Sequence, residues 1–320
     1  MKSIIILAGL IFVISGCGTF KKMAIGTTSG MFYEATGELE TDGNWESFKS
    51  GAMGNIKLIE GLLYLAPGDD DLLASLTKAY AGYAFGVYET LYLGDKLAEN
   101  DNEENLNQAI YNYSKAVNYG LAYLKEQGVS FEKLKKNIGD VKEILKDELG
   151  TGKRDLETVF YIGQAIGSLV NLQKTNMSLI TLVPMAKGMF DYVCETEPKF
   201  NHGACGIFYG SYEASRPKML GGNPEKGKQI FLKTIKDYPH NWFARAAFIE
   251  QYIVPMVDED EYETQKEFLE EAAESFDKEL KWNPFKKESE EAFKKKNLKV
   301  FQALGLKRFE IISKYEKEIF

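Results

Sequence analysis

The stretch DDDLLASLTKAYAGYAFGVY, residues 69–88, decides the fold class of this chain. Its apolar and aromatic residues recur every three or four positions, which places them on one broad stripe of an α-helix. The aspartates at its start can cap that helix and suit its positive N-terminal end, and Pro67 and Gly68 mark the turn before it. The predicted stripe consists of Leu72, Leu73, Leu76, Ala79, Tyr80, Tyr83, Ala84, Val87 and Tyr88.

The same periodicity continues through nearly every segment after Asn44, whereas the alternation typical of strands is almost absent. The segment 156–172 is apolar around most of its circumference, so we expect that helix to be central. Pro184 suits the first turn of a helix that ends near Glu195. The predicted fold class is all-α, in a single domain over residues 44–320. Further helices are predicted over residues 45–63, 106–124, 131–145, 156–172 and 184–195.

Residues 203–239 carry the clearest sign of a repeated unit. Tyr209 and Gly210, followed by a small, an aromatic and a small residue, fall at the spacing of tetratricopeptide (TPR) repeats. Small residues let two helices approach closely, and stacked pairs bury a continuous core and leave a concave face. We therefore expect a TPR-like helical-hairpin solenoid or bundle with a concave face or a central apolar passage. The alternative is an irregular helical bundle without repeats. The later positions of the unit are Gly227, Phe231, Thr234 and Pro239.

The N-terminus has the layout of a secretory signal peptide: a lysine, an apolar run over residues 4–14, and small residues before Cys17. A bilayer span needs about 20 apolar residues, so this run is too short to cross a membrane. The segment ISGC, residues 14–17, resembles the bacterial lipobox, in which the cysteine thiol receives a diacylglycerol and becomes the new N-terminus.

We expect residues 1–16 to be a signal peptide and residues 17–43 to be a lipidated N-terminus with a flexible tether. The protein would then be exported and lipid-anchored at a bacterial membrane, facing the periplasm. The alternative is a membrane-spanning anchor or a buried N-terminal helix.

The composition fits a folded globular protein, with 44% hydrophobic and 27% charged residues. The formal net charge of −8 argues against nucleic acid as a partner, since such binding needs a basic face. Cys194 and Cys205 would meet an oxidising compartment after export, and a disulfide between them is possible. Two free buried thiols are the alternative.

Signatures of catalysis are missing from the sequence. His202 and His240 lie in loops between predicted helices, and neither belongs to an H-E-x-x-H pattern. The segment 150–153 has a faint likeness to a phosphate loop, but it lacks the upstream glycine and the following Ser or Thr. We therefore expect no catalytic residue, no metal and no cofactor, and a protein that is not an enzyme.

Aromatic residues are the remaining candidates for a functional surface. They could line an apolar groove or channel with hydroxyl groups at its edge, which would suit an amphipathic ligand or a partner segment. Ordinary packing between helices is the alternative. The candidate groove residues are Tyr80, Tyr83, Tyr88, Tyr161, Phe208, Tyr209 and Tyr212.

Several landmarks of the chain resemble the T component of tripartite ATP-independent periplasmic (TRAP) transporters, a periplasmic repeat lipoprotein. The resemblance covers roughly residues 43–320. Gly227 departs from it, because alanine is usual there, as does Glu213, where an aromatic residue is usual. The landmarks are the segments 161–168, 209–217, 221–226, 250–255 and 318–320.

The resemblance implies an accessory subunit that docks the solute-binding protein of the transporter and shields or passes an apolar or amphipathic organic ligand. It also implies a homo-oligomer, with a trimer as the expected assembly, and no nucleotide site, because the transporter uses an ion gradient. The alternative function is a general envelope scaffold in outer-membrane or cell-wall assembly.

Replacing Cys17 by serine removes the thiol that would receive the lipid. Because each buried methylene of an acyl chain contributes about 0.8 kcal/mol of membrane affinity, the Cys17→Ser protein should leave the membrane fraction. Cell fractionation and intact-mass measurement check this, with Thr19→Ser as the control. Equal masses and equal distribution of the two variants would contradict lipidation at Cys17.

Overall fold

The computed structural model of the protein describes residues 26–282, 284–285 and 296–320. The expected signal peptide, Cys17 and the first part of the tether lie outside the described residues. Over the described ranges the chain folds into helices and turns without a strand, so the predicted all-α class is confirmed. None of the helices in this part combines the length and the apolar character that a bilayer crossing needs.

The helices divide into two sets along the chain. The first set is α1 (Ser29–Ala35), α2 (Trp45–Leu65), α3 (Asp70–Tyr83), α4 (Thr90–Leu97), α5 (Glu104–Glu126), α6 (Phe131–Lys136), α7 (Val141–Glu148) and α8 (Lys153–Leu172). The second set is α9 (Met177–Ile180), α10 (Val183–Thr196), α11 (Ala204–Ser215), α12 (Pro224–Asp237), α13 (Phe243–Phe248), α14 (Val254–Met256), α15 (Glu259–Leu280), α16 (Lys299–Ser313) and α17 (Glu316–Ile319). Short 3₁₀ segments cover Thr36–Thr41, Phe200–Gly203, Lys218–Leu220 and Lys296–Leu298.

Two junctions between helices are π-helical turns. Ala84–Glu89 joins α3 to α4, and Ile249–Ile253 joins α13 to α14. The helix axis continues through each turn, but the hydrogen bonds reach one residue further than in an α-helix.

Side-chain caps fix where several helices begin. The Oδ1 atom of Asp69 accepts a hydrogen bond from the backbone N–H of Leu72 at 3.1 Å. The Oδ1 atom of Asn223 accepts one from Lys226 at 3.1 Å, and Pro224 occupies the first turn. These caps satisfy backbone amides that have no partner inside the helix. The cap that the aspartates predict at the start of α3 is therefore confirmed. The order Asn-Pro-Glu at residues 223–225 likewise predicts a helix start, with an N-cap, a first-turn proline and an acid, and the structure confirms it.

The single helix predicted over residues 131–145 is wrong, because the structure divides this segment between α6 and α7. Asn137 leaves the helical conformation, with φ −119° and ψ 47°. Asparagine and the nearby Gly139 both favour turns over helix interiors. The break lets Val141, which is buried, lie directly against Gly188 of α10.

Helix α8 is central among the first set of helices, as its apolar circumference predicted, since it contacts α3, α5 and α10. Helix α5 crosses it so closely that a Cβ atom at Gly120 would lie 2.2 Å from Cγ1 of Ile162. Buried residues form two clusters, one mainly on α2–α10 and the other mainly on α12–α16. The side chains of Phe85 and Leu91 contact both clusters.

Helices α11 and α12 form an antiparallel pair with a close crossing. A Cβ atom at Gly206 would lie 2.0 Å from Oγ1 of Thr234, and one at Gly210 would lie 2.9 Å from the ring of Phe231. The small and aromatic positions predicted for the repeated unit therefore meet in this pair. A regular TPR-like solenoid along the whole chain stays a prediction.

Gly305 offers a test of close packing at α16. A Cβ atom there would lie 2.8 Å from backbone atoms of Trp242 and Phe243, which cannot rotate away. Gly305→Ala should therefore lower the free energy of unfolding by about 1–3 kcal/mol. Gly54→Ala is the matched control, because nothing lies within 4 Å of its Cβ position, and it should raise stability by about 0.5–1 kcal/mol. Chemical denaturation measures both, and equal midpoints would contradict the close approach.

Candidate functional site

A cavity of about 760 Å³ lies where the two buried clusters meet. Its walls come from α2, α3, α8, α10, α11, α13 and α16. The volume falls within the about 300–1,000 Å³ typical of small-molecule sites, which are mostly apolar with a few polar groups. Aromatic side chains in the wall include Trp45, Phe48, Phe85, Phe190, Phe243 and Phe301.

The cavity reaches solvent where its lining residues are exposed. Asn171 and Lys174 mark an opening at the C-terminal end of α8. Ser215 and Pro217 mark another at the end of α11, and Asn55 lies at the surface of α2. A ligand therefore has a route between the apolar interior and solvent.

Glycines inside two helices widen the cavity. Gly82 of α3 and Gly167 of α8 both line it, and nothing lies within 4 Å of the position of a Cβ atom at either. A glycine in a helix interior costs about 0.5–1 kcal/mol relative to alanine. In the described structure no neighbouring atom requires a glycine at either position. What the missing side chains provide is space in the cavity.

A buried arginine forms the most polar part of the wall. Arg308 of α16 is 1% exposed, and its Nη1 donates to Oε2 of Glu250 at 2.7 Å. Its Nη2 donates to the carbonyl of Phe85 at 3.1 Å, and its Nε donates to Oγ1 of Thr90 at 3.1 Å. A guanidinium fully removed from water needs such partners, because an unpaired buried charge is strongly unfavourable.

Glu89 is the second carboxylate beside this guanidinium. Its Oε1 lies 3.8 Å from Nη2 of Arg308, which is an ion pair without a direct hydrogen bond. Its Oε2 accepts a hydrogen bond from the hydroxyl of Tyr113. Burial raises the pKa of Glu89 above its usual value, and the charge of Arg308 only partly opposes this.

The π turns bring these groups together. Glu89 and Phe85 belong to the turn after α3, and Glu250 belongs to the turn after α13. The changed bonding pattern leaves carbonyls available to side chains: Phe85 accepts from Arg308, and Gly86 accepts from Nε1 of Trp45 at 2.7 Å. Turns of this kind are rare and are frequent at functional sites.

A lysine forms a second polar cluster in the wall. The Nζ atom of Lys78 lies 2.5 Å from Oε1 of Glu40 and 3.4 Å from Oε1 of Glu157. The hydroxyl of Tyr33 donates to Glu157 at 2.6 Å. The ring of Tyr161 lies beside Lys78, and burial raises the pKa of its phenol far above the usual value, so this tyrosine stays neutral.

The structure places some of the candidate groove residues on the cavity. Tyr161, Phe208 and Tyr212 line it. The ring of Phe208 stacks on Phe190 with centroids 3.5 Å apart, and the guanidinium of Arg216 lies 3.6 Å from the centroid of Tyr212. The rings of Phe208 and Tyr212 follow one another along α11 towards the opening at its end.

The other candidate residues make contacts elsewhere. The Tyr80 hydroxyl donates to Glu60 at 2.7 Å, and the Tyr209 hydroxyl donates to Asp191 at 2.7 Å. The rings of Tyr83 and Tyr88 pack edge to face on each other.

The cysteines that the sequence singled out lie next to the cavity. Cys194 of α10 and Cys205 of α11 are joined as a disulfide, which links two of the helices that form its wall. Cys17 lies outside the described residues. Within the ranges that the structure describes, no group of three or more His, Cys, Asp or Glu residues could hold a metal ion.

Sequence reasoning missed Arg308, Glu89 and Glu250. A signal for them exists, since each is a charged residue inside a largely apolar helical segment. Charged residues are almost never fully buried unless they are paired, so such positions point to ion pairs in the interior. Which acid pairs with which base is set by tertiary structure and is not visible in the sequence.

Arg308→Met tests the buried cluster. The substitution keeps an unbranched apolar side chain but leaves two buried carboxylates without their cation, so it should cost about 3–5 kcal/mol of unfolding free energy. Lys314→Met is the matched control: Lys314 also pairs with a glutamate, Glu310, but its side chain is 59% exposed, and the loss should stay below about 1 kcal/mol. Chemical denaturation gives both values, and similar losses would show that the cluster does not stabilise the fold.

Comparison with known proteins identifies one family. A protein-family model described as the TRAP transporter T-component matches residues 46–281. This range contains the cavity-lining residues from Phe48 to Gln251. No curated protein matches the chain.

Proposed function

The chain belongs to the TRAP transporter T-component family, and from this premise we propose that it holds an apolar or amphipathic organic ligand in its cavity and docks the solute-binding protein of the transporter. Family membership makes it an accessory component associated with a TRAP transporter, facing the periplasm. The family consists of transporter subunits and is not a known enzyme family.

The observation that carries the ligand proposal is the open space at Gly82 and Gly167. A protein interior normally closes such gaps, because close packing gains dispersion contacts and an empty space forfeits them. Here two helices carry glycine at the cavity wall although alanine would fit and favour the helix. Space kept open inside an apolar, ring-lined cavity is what shielding an organic ligand from water requires.

The docking proposal rests on family membership. A lipid at Cys17 would hold the protein at a membrane, and the part of the predicted tether that precedes α1 would connect the lipid to the folded helices. A solute-binding protein docked on such a subunit would exchange ligand through one of the openings described above. Whether the protein assembles into a trimer belongs to the same proposal and is measured by light scattering of the mature chain.

Filling the cavity should abolish ligand binding without unfolding the protein. Gly167→Leu places a side chain into open space on a helix, so its melting temperature should equal or exceed that of the wild type. Gly54→Leu is the control, because its Cβ position on α2 is equally open and lies outside the cavity wall. Displacement of an apolar fluorophore and mass spectrometry of organic extracts measure the bound ligand. Equal ligand content in the two variants would contradict the cavity as the binding site.

The same variants separate docking from ligand binding. A pull-down with the mature wild-type protein should recover the solute-binding protein of its transporter. If docking uses the outer surface, Gly167→Leu should recover it as well as Gly54→Leu does. Failure of all three to recover it would contradict the docking proposal and leave the ligand proposal standing.

A further inference from the structure

The fixed charges of the cavity wall are unbalanced in its interior. Arg308 has two carboxylates around it, Glu89 and Glu250, and Lys78 also has two, Glu40 and Glu157. Lys153 also pairs with Glu157, so the cluster at Lys78 is balanced, whereas the cluster at Arg308 carries one more carboxylate than base. In an interior with a low dielectric, an excess negative charge is unfavourable unless a proton or a cation neutralises it.

The uncharged polar atoms of the wall also include hydrogen-bond acceptors that have no donor. Asn241 is 3% exposed and lines the cavity, and its Oδ1 atom accepts no hydrogen bond from any residue that the structure describes. Its amide nitrogen donates to the carbonyl of His202 at 2.9 Å, which fixes the oxygen as the end without a partner. The Oε1 atom of Gln164, also in the wall, is buried and likewise accepts no bond within the described chain. A buried acceptor without a donor is costly, so both oxygens favour a ligand that donates hydrogen bonds.

Glu89 is the less closely paired of the two carboxylates beside Arg308. Glu40 lies 2.5 Å from the Nζ atom of Lys78, and Glu250 lies 2.7 Å from Nη1 of Arg308. Glu89 instead stands 3.8 Å from the guanidinium, and the side chains that hydrogen-bond to it are the neutral hydroxyls of Tyr113 and Ser168. It is also nearly fully buried and part of the cavity wall.

We propose that the ligand of the cavity is an amphiphile whose head group is a primary ammonium, and that this head group binds at Glu89 beside Arg308 while the apolar tail lies against the aromatic wall. The inference rests on the proposed ligand-binding function and names the chemical class of the ligand. An ammonium supplies a positive charge, which would neutralise the excess carboxylate at Arg308, and three N–H donors for acceptors such as that carboxylate. The π turn at residues 84–89 then positions the carboxylate that selects the ligand.

The competing head group is an anion at the opening. Lys174 lines the mouth at the end of α8 and forms no ion pair within the part of the chain that the structure describes. An anionic amphiphile would place its head there and keep it away from the carboxylates inside. This arrangement is an outcome that the test distinguishes.

The test compares dodecylamine, dodecanol and dodecanoate on the purified mature protein, below the concentrations at which they form micelles. At neutral pH the amine is protonated, as a lysine side chain is. Displacement of an apolar fluorophore should show the amine binding at least about tenfold more tightly than the alcohol, as expected for a hydrogen bond to a charged group. Glu89→Gln should reduce the affinity for the amine to that for the alcohol. Glu271→Gln, on the exposed face of α15, is the matched control and should keep the tenfold preference.

Each result supports or contradicts the proposed ammonium head group. An amine that binds no better than the alcohol overturns the inference and leaves the proposed function intact. Tighter binding of dodecanoate also overturns it and assigns the head group to Lys174. If none of the probes binds, the proposed ligand-binding function fails as well. Should Glu89→Gln lower the melting temperature, Glu250→Gln provides the second variant, since it also removes the excess carboxylate, and its preference for the amine should fall in the same way.

Discussion

The ion cluster of Arg308 is the constraint on which the rest of the structure depends. This one side chain, on α16, binds the turn after α3 and the turn after α13, so it joins the two clusters of buried residues. Its desolvation is offset only because carboxylates, a hydroxyl and a carbonyl surround it in fixed positions. The helices that carry these partners are therefore held in one arrangement, and the cavity is the space that this arrangement leaves between them.

A cavity held in this way differs from a packing defect. Defects in a core are usually small and are closed by relaxation of the neighbouring side chains. Here the walls are helices joined by ion pairs, stacked rings and a disulfide, and these contacts oppose inward relaxation. The space is therefore a property of the fold, and glycines and buried charges line it.

Local features of the fold could be predicted from the sequence, because helix periodicity and caps are short-range effects. The caps at Asp69 and Asn223 and the central position of α8 followed from patterns of a few residues. The break at Asn137 could have been predicted as well, since asparagine and glycine occur together there, but the apolar spacing of three and four continues across it and masks the turn.

The site was predicted less well, for a physical reason that α3 illustrates. This helix is buried on most of its circumference, so its apolar pattern does not show which side faces the cavity. Lys78, Ala79 and Gly82 face the cavity, while the large Tyr80 packs against Tyr119 on another side. On this helix the cavity lies beside small residues, whereas the sequence analysis favoured the largest aromatic residues as candidates. Tertiary contacts alone distinguish the two.

The π turn after α3 also has a consequence for how the gene can change. Such a turn holds one residue more than the α-helix it interrupts, and each residue rotates a helix by about 100°. Loss of a single codon within 84–89 would restore an ordinary helix and rotate α4 by that angle. The rotation would carry Glu89 and Thr90 away from the guanidinium of Arg308. A change in length here would therefore shift every later residue of α4, whereas the exchange of one residue leaves their register unchanged.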